Sequence, residues 1–139
     1  MKTVRLFTIN PVPASRPRVS RYGTYYLPTY RNFKTDFAAL LRDEKIALMK
    51  GQLKVSITCH VKKPKTTERL YPIGDVDNYA KAVLDGLNGV MWDDDDQIIE
   101  LSITKQYNDG EGFISVEVTP VEGNIKKSMP KMRNVRRRH

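Results

Sequence analysis

The chain switches between two hydrophobic periods, and the switches mark its elements. Val4 to Ile9 alternates as a strand and stops at Asn10-Pro11-Val12-Pro13, where two prolines withhold backbone donors. Ala14 to Tyr26 is basic and aromatic and reads as a loop or loose hairpin. From Thr29 to Met49 the period lengthens. Phe33, Phe37, Leu40, Leu41 and Leu48 recur at helical spacings with Arg31, Lys34, Arg42 and Lys45 between them, predicting an amphipathic helix that Gly51 closes. Leu53 to Val61 returns to alternation, with Val55, Ile57, Cys59 and Val61 on one face and Ser56, Thr58 and His60 on the other. A loop follows from Lys62-Lys63-Pro64-Lys65 through Arg69 to Gly74. A second helix is expected from Asn78 to Leu87, where Tyr79, Ala80, Val83, Leu84 and Leu87 share one side and Asp77, Lys81 and Asp85 stack on the other. Ile98 to Tyr107 and Phe113 to Val118 read as two strands, and the Asn108-Asp109-Gly110 between them signals a hairpin.

Composition sets limits on this pattern. The 139 residues, 40% of them hydrophobic, suit one domain with an ordinary core. No stretch approaches the roughly 20 apolar residues of a bilayer span, and the alternating N-terminus lacks the apolar region of a secretory signal. Cys59 is the single cysteine, which excludes a disulfide framework or a Cys-rich zinc site. It reads as a small buried hydrophobe, and the whole suits a reducing, cytoplasmic setting.

Charge changes the picture more. The formal net charge is +8 and the pI about 9.6, which points to a polyanionic partner. The window Asp75–Glu100 holds eight of the 16 acids (Asp75, Asp77, Asp85, Asp93, Asp94, Asp95, Asp96 and Glu100) and one of the 24 bases, Lys81. A concentrated acidic island in a basic chain is the layout of a metal-dependent nuclease, where basic surface holds phosphates and acids hold cations. A basic structural protein with one acidic loop has the same bulk charge.

Within the island, Asp75 and Asp77 stand two apart and would project to one face of an extended segment. Asp77 or Asn78 is placed to cap the second helix, and Asp95 comes from the start of the next strand. Carboxylates from three backbone points can hold a hard cation with oxygen ligands, as Mg²⁺ prefers, and phosphodiester hydrolysis uses such an ion. Lys81, one turn after Asp77, could contact the scissile phosphate. Plainer readings stand beside these. Asp-x-Asp-Asn also caps helices and makes turns, four aspartates also form a solvated loop, and Lys81 also pairs with Asp77 and Asp85 along a helix. A calcium loop is disfavoured, because neither cluster has the glycine and glutamate of an EF-hand at the required positions.

The order of these residues is more specific than their spacing. Asp75-x-Asp77-Asn78-x-x-Lys81, an apolar helix ending in Asp85-x-Leu87, the aromatic Trp92 before an acidic run, then Gln97-Ile98 and a strand, resembles the RusA family of Holliday-junction resolvases. The likeness is strongest from Asp75 to about Lys105. It extends more weakly over most of the domain, including the Arg16-Pro17-Arg18 common in phage-borne relatives. The resemblance implies that Asp75, Asp77 and Asp95 bind the catalytic Mg²⁺, which Mn²⁺ can replace, and that Lys81 is also needed. The third ligand is counted back from Gln97; because Asp93 and Asp96 extend the usual acidic pair to four, Asp94 is the alternative to Asp95, and Asp85 is read as a supporting acid.

The resemblance also implies a homodimer with two active sites that nicks branched DNA, four-way junctions above all, leaving 5′-phosphate and 3′-hydroxyl ends. A four-way junction has near two-fold symmetry, which a C₂ dimer matches. No organic cofactor and no membrane are implied. Arg16, Arg18, Lys62, Lys63, Lys65 and Arg69 are the bases expected to flank the site as phosphate contacts. Tyr22, Tyr25 and Tyr26 could stack on unpaired bases or pack within the hairpin. Pattern and resemblance together predict an α+β domain over residues 1–122, a mixed sheet of about four strands with two helices packed on it. Residues 123–139 form a tail with seven bases and no acid from Lys126 to His139, a candidate non-specific DNA-binding arm. Two rivals share these features: a nuclease for flaps or forks, and a non-catalytic nucleic-acid-binding protein.

Overall fold

Alternation of apolar side chains along β4 (Leu53–Lys62) places Leu53, Val55, Ile57, Cys59 and Val61 in the core and makes this strand the centre of the molecule. The computed structural model describes residues 2–16, 18–21, 23–25 and 27–122, of which 18–20 and 23–25 are described by backbone alone. The elements in chain order are β1 (Thr3–Phe7), β2 (Arg18–Ser20), β3 (Gly23–Tyr25), α1 (Pro28–Arg42), β4, α2 (Val76–Leu87), β5 (Ile98–Asn108) and β6 (Phe113–Pro120). Strands β2 and β3 form a small antiparallel ribbon, as expected of a loose hairpin. The other four strands form one mixed sheet in the order β1-β6-β4-β5, with β4–β5 parallel and the other pairs antiparallel. The α+β architecture with two helices on a four-stranded mixed sheet is therefore as expected. Among the described residues no helix is long and apolar enough to cross a membrane.

The expected hairpin between β5 and β6 does not form. Both strands pair with β4, one on each side, and the Asn108-Asp109-Gly110 turn carries the chain past the end of β4. Burial explains the order. Ile114, Val116 and Val118 of β6 are fully buried, whereas β5 is exposed along much of its length, with Ile99 and Leu101 open to solvent. Inserting β4 between them keeps the two most apolar strands in the interior and leaves β5 at the edge.

Helix α1 starts at Pro28, a residue already set for a first turn, and buries Tyr30, Phe33, Phe37 and Leu41 against the sheet. Phe37 meets Phe7 of β1 edge to face at 5.6 Å. The helix ends at Arg42, not near Met49, so Gly51 does not close it. Asp43 and Glu44 put two acids at the negative end of the helix dipole, and their amides turn back to the Leu40 and Leu41 carbonyls respectively. Arg5 then holds the departing chain through the Glu44 carboxylate at 3.4 Å and the Lys45 carbonyl at 3.3 Å. Leu48, expected on the apolar stripe, is 41% exposed, and Met49 leaves helical geometry to bridge the chain at Trp92.

The two helices approach closely at Gly86. A Cβ there would lie 2.4 Å from the Phe37 ring, so the ring occupies the space that any larger residue would need. Cys59 is free and buried, and desolvation pushes its thiol up to about 12, in keeping with a core role.

Candidate active site

Helix α2 begins two residues earlier than expected. Asp75, in extended geometry, is the cap position, and Asp77 lies inside the first turn, so neither Asp77 nor Asn78 caps the helix and the two acids do not share an extended segment. The cap is unusual in one respect. The Asp75 carboxylate accepts no bond from the helix amides; its backbone carbonyl accepts from Asn78 and Tyr79 N–H instead. Among the described residues neither Asp75 nor Asp77 has a side-chain partner. Both carboxylates lie exposed at the positive end of the α2 dipole, which favours negative charge there.

The approach to Asp75 is tied down through its backbone. Gly74 has φ +107°, a conformation that favours glycine, and Pro13 and Tyr79 crowd the position a Cβ would take. Tyr79 is buried and donates to the Ile73 carbonyl at 2.8 Å. Burial, with Cys59 and Tyr107 nearby, pushes its phenol up to about 12, so the hydroxyl stays a donor across physiological pH. The Ala14 amide donates to the Asn78 carbonyl at 2.9 Å and clamps the 11–16 segment against the start of α2.

The clamped segment forms one wall of an open cavity of about 650 Å³. Asp75, Asp77, Lys81 and Asp85 line it from α2, and Ser15 and Arg16 from the clamped segment. Lys81 pairs with Asp85 at 3.4 Å, both exposed, a contact worth a few tenths of a kcal/mol at roughly this geometry. The Ser15 hydroxyl is buried and has no hydrogen-bond partner among the described residues. Nothing in the pattern around Ser15 separates it from an ordinary loop serine, and sequence reasoning missed it.

The second acidic cluster is built differently. Asp93 pairs with Lys50 at 2.7 Å. Asp94 caps the short 3₁₀ turn Asp95–Gln97: its carboxylate accepts from the Asp96 amide, and its own amide donates to Gln97 Oε1. Asp95 Oδ1 accepts from the indole N–H of the fully buried Trp92 at 2.7 Å, and the Asp95 amide donates to Asn88 Oδ1. Gln97 also reaches the Met49 and Gly51 carbonyls, fastening this turn to the segment before β4.

Four of the expected residues, Asp75, Asp77, Lys81 and Arg16, thus share one cavity. Asp95 does not line it, and among the described residues no three of His, Cys, Asp and Glu are gathered closely enough to hold one ion. The donor chemistry nevertheless fits a hard cation: two carboxylates without partners among the described residues line an open cavity, and Mg²⁺ is commonly held by one or two carboxylates with water and phosphate completing its shell. Of the expected phosphate-binding bases, Lys62 pairs with Glu111 at 3.1 Å, Lys63 and Lys65 are exposed in the loop after β4, and Arg69 lies over the Tyr71 ring at 4.9 Å. The side chains of Arg18, Tyr22, Tyr25 and Tyr26 and the 123–139 tail lie outside the described residues.

One open cavity of this small α+β domain thus brings two carboxylates with no partner among the described residues together with Lys81 and Arg16. The chain belongs to the RusA endodeoxyribonuclease family: residues 8–119 match the family described as Endodeoxyribonuclease RusA, a span that contains every residue lining the cavity. An uncharacterized protein, YqaN, of Bacillus subtilis (strain 168) is 27% identical over 124 residues, covering 74% of this chain and 87% of that protein.

Proposed function

We propose that this protein is a divalent-metal-dependent, structure-specific endonuclease that resolves four-way DNA junctions by paired symmetric nicks, acting as a homodimer. The observation that carries this reading is the pair Asp75 and Asp77, family-motif carboxylates without partners among the described residues, in a cavity that also holds Lys81 and Arg16. Asp75 and Asp77 would hold the cation, Mg²⁺ or Mn²⁺. When bound, such an ion makes water more acidic and offsets negative charge at the phosphorus. Arg16 grips a non-bridging phosphate oxygen, and Lys81 exchanges its exposed Asp85 partner for the scissile phosphate.

Asp95 is assigned as the third acid on the family motif. Its Oδ1 is fixed by the buried Trp92 indole, which supports it over Asp94, whose carboxylate caps its own turn. Arg18, Lys62, Lys63, Lys65 and Arg69 extend the phosphate track, weakened by salt as such contacts are. Residues 1–122 act as the nuclease domain, with the 123–139 tail as a basic arm.

The test is cleavage of an end-labelled four-way junction with Mg²⁺, against EDTA and against duplex and flap controls. Paired nicks on the junction alone, and only with metal, are expected. Preferential cutting of flaps would move the assignment to other branched DNA. Tight junction binding without cutting in Mg²⁺ or Mn²⁺ would make this a binding protein.

A further inference from the structure

Lys105 lies on β5, far along the chain from Asp75 and Asp77 and outside the lining of their cavity. Its register opposite Cys59 puts it on the helix-covered side of the sheet, where it is half-buried. Its ammonium group donates to the Pro72 carbonyl at 2.7 Å and to the Gly74 carbonyl, and lies 5.5 Å from the centre of the Tyr71 ring. Among the described residues it forms no ion pair. A half-buried lysine that uses its charge on two main-chain oxygens, one of them adjacent to a candidate ligand, is a costly arrangement unless those oxygens must be held.

The loop it holds has little else to hold it. Leu70, Tyr71 and Ile73 are 89%, 59% and 68% exposed, so the segment before Asp75 gains almost nothing from apolar burial. Pro72 is buried, and the remaining restraints are polar. Lys105 takes the carbonyls of residues 72 and 74, Tyr79 takes that of 73, and the α2 amides take that of 75. Four successive carbonyls are thereby fixed, and two of the four depend on one cation. Asp75 cannot use its side chain to anchor itself, because its carboxylate is left free of the helix.

We propose that Lys105 is a positioning residue for the reaction: from the edge strand it sets the backbone that aims the Asp75 carboxylate into the cavity, without itself touching substrate. This rests on the reading of Asp75 as a metal-binding acid. Loss of aim by about 1 Å can cost roughly a hundredfold in rate, whereas DNA grip through phosphate contacts elsewhere is unaffected.

The experiment compares wild type, Lys105→Met, Lys105→Gln and Lys105→Arg in the full chain. Single-turnover junction cleavage is read across Mg²⁺ concentrations, junction binding in EDTA, and amide exchange along the chain. Lys105→Met is expected to slow cleavage about 10- to 100-fold, with junction affinity within about twofold. Amide exchange should rise over 73–79 but not in β4 or β6. Lys105→Arg should recover most of the rate, and Lys105→Gln, a neutral donor, should fall between. Wild-type cutting by Lys105→Met at every Mg²⁺ concentration overturns the proposal, as does faster exchange throughout the sheet with matching loss of DNA binding. If the Met variant does not fold, wild-type cutting by Lys105→Gln overturns it equally. A wild-type protein that cuts no branched DNA overturns the functional reading instead, and exchange at 73–79 then decides the clamp alone.

Discussion

The two acidic clusters look alike in composition and are opposites in structure. In Asp93–Asp96, Asp93 pairs with Lys50, Asp94 caps the 3₁₀ turn, and Asp95 receives the Trp92 indole. At Asp75 and Asp77 no described side chain or helix amide engages the carboxylates, although one of them stands at a cap position that normally uses its side chain. Acids that are engaged hold a turn together; acids left unengaged at the mouth of a cavity are available to something outside the chain. The comparison also separates the four consecutive aspartates by partner: Asp93 pairs with an exposed lysine, Asp94 caps its own turn, and Asp95 is fixed by the indole of the buried Trp92.

Substitutions can break this comparison. The largest effect is expected from Asp75→Asn and Asp77→Asn, which should lower junction cleavage by about 100- to 1,000-fold. Because neither carboxylate bonds to the described protein, the melting temperature should not fall; a clear drop would mean that these acids are structural after all. Asp95 should behave as a hybrid. Asp95→Asn keeps an acceptor for Trp92 and should fold normally while cutting poorly, whereas Asp95→Ala should also lose about 1–2 kcal/mol in denaturant unfolding by orphaning the indole N–H. If Asp95→Asn cuts at the wild-type rate, the third acid lies elsewhere.

Asp94→Ala sharpens the contrast from the other side. Loss of the cap should cost about 1 kcal/mol in the same unfolding measurement, while cleavage per folded molecule stays within a few-fold. Strong loss of cleavage with Asp94→Asn would reverse the ranking of the two neighbours. Lys50→Ala should be the mildest, since its pair with Asp93 is largely exposed and worth roughly a few tenths of a kcal/mol. Its effect should shrink further in high salt.

Much of the fold was legible because it follows from local periodicity. The alternation of β4, the apolar side of α2 and the count of sheet strands all come from side-chain patterns that read the same in one dimension as in three. The errors fell where a local signal met a competing tertiary demand. The Asn108-Asp109-Gly110 turn carries hairpin chemistry, but the burial of β4 and β6 gave β4 the place between the two strands it joins. The stripe ending at Leu48 continued the helical period past Asp43, yet the chain leaves the helix there and packs Ile46 and Met49, not Leu48, against the core.

The site divides in the same way. Asp75, Asp77, Lys81 and the Asp94–Asp95 ambiguity were all visible in the order of residues, because a motif confined to one helix and its flanks is a local object. The identity of the engaged acids was not visible, since it depends on Trp92, Lys50 and Asn88 arriving from separate turns of the chain. Ser15 and Lys105 were equally hidden: one reaches the cavity because the Ala14 amide is clamped to Asn78, the other because β5 runs parallel to β4 beside the loop it holds. Residue types and their spacing therefore determined which chemistry this chain can offer. Which groups remain free to perform it was settled by long-range packing, because a carboxylate's availability is a property of its neighbours and most of those neighbours are distant in sequence.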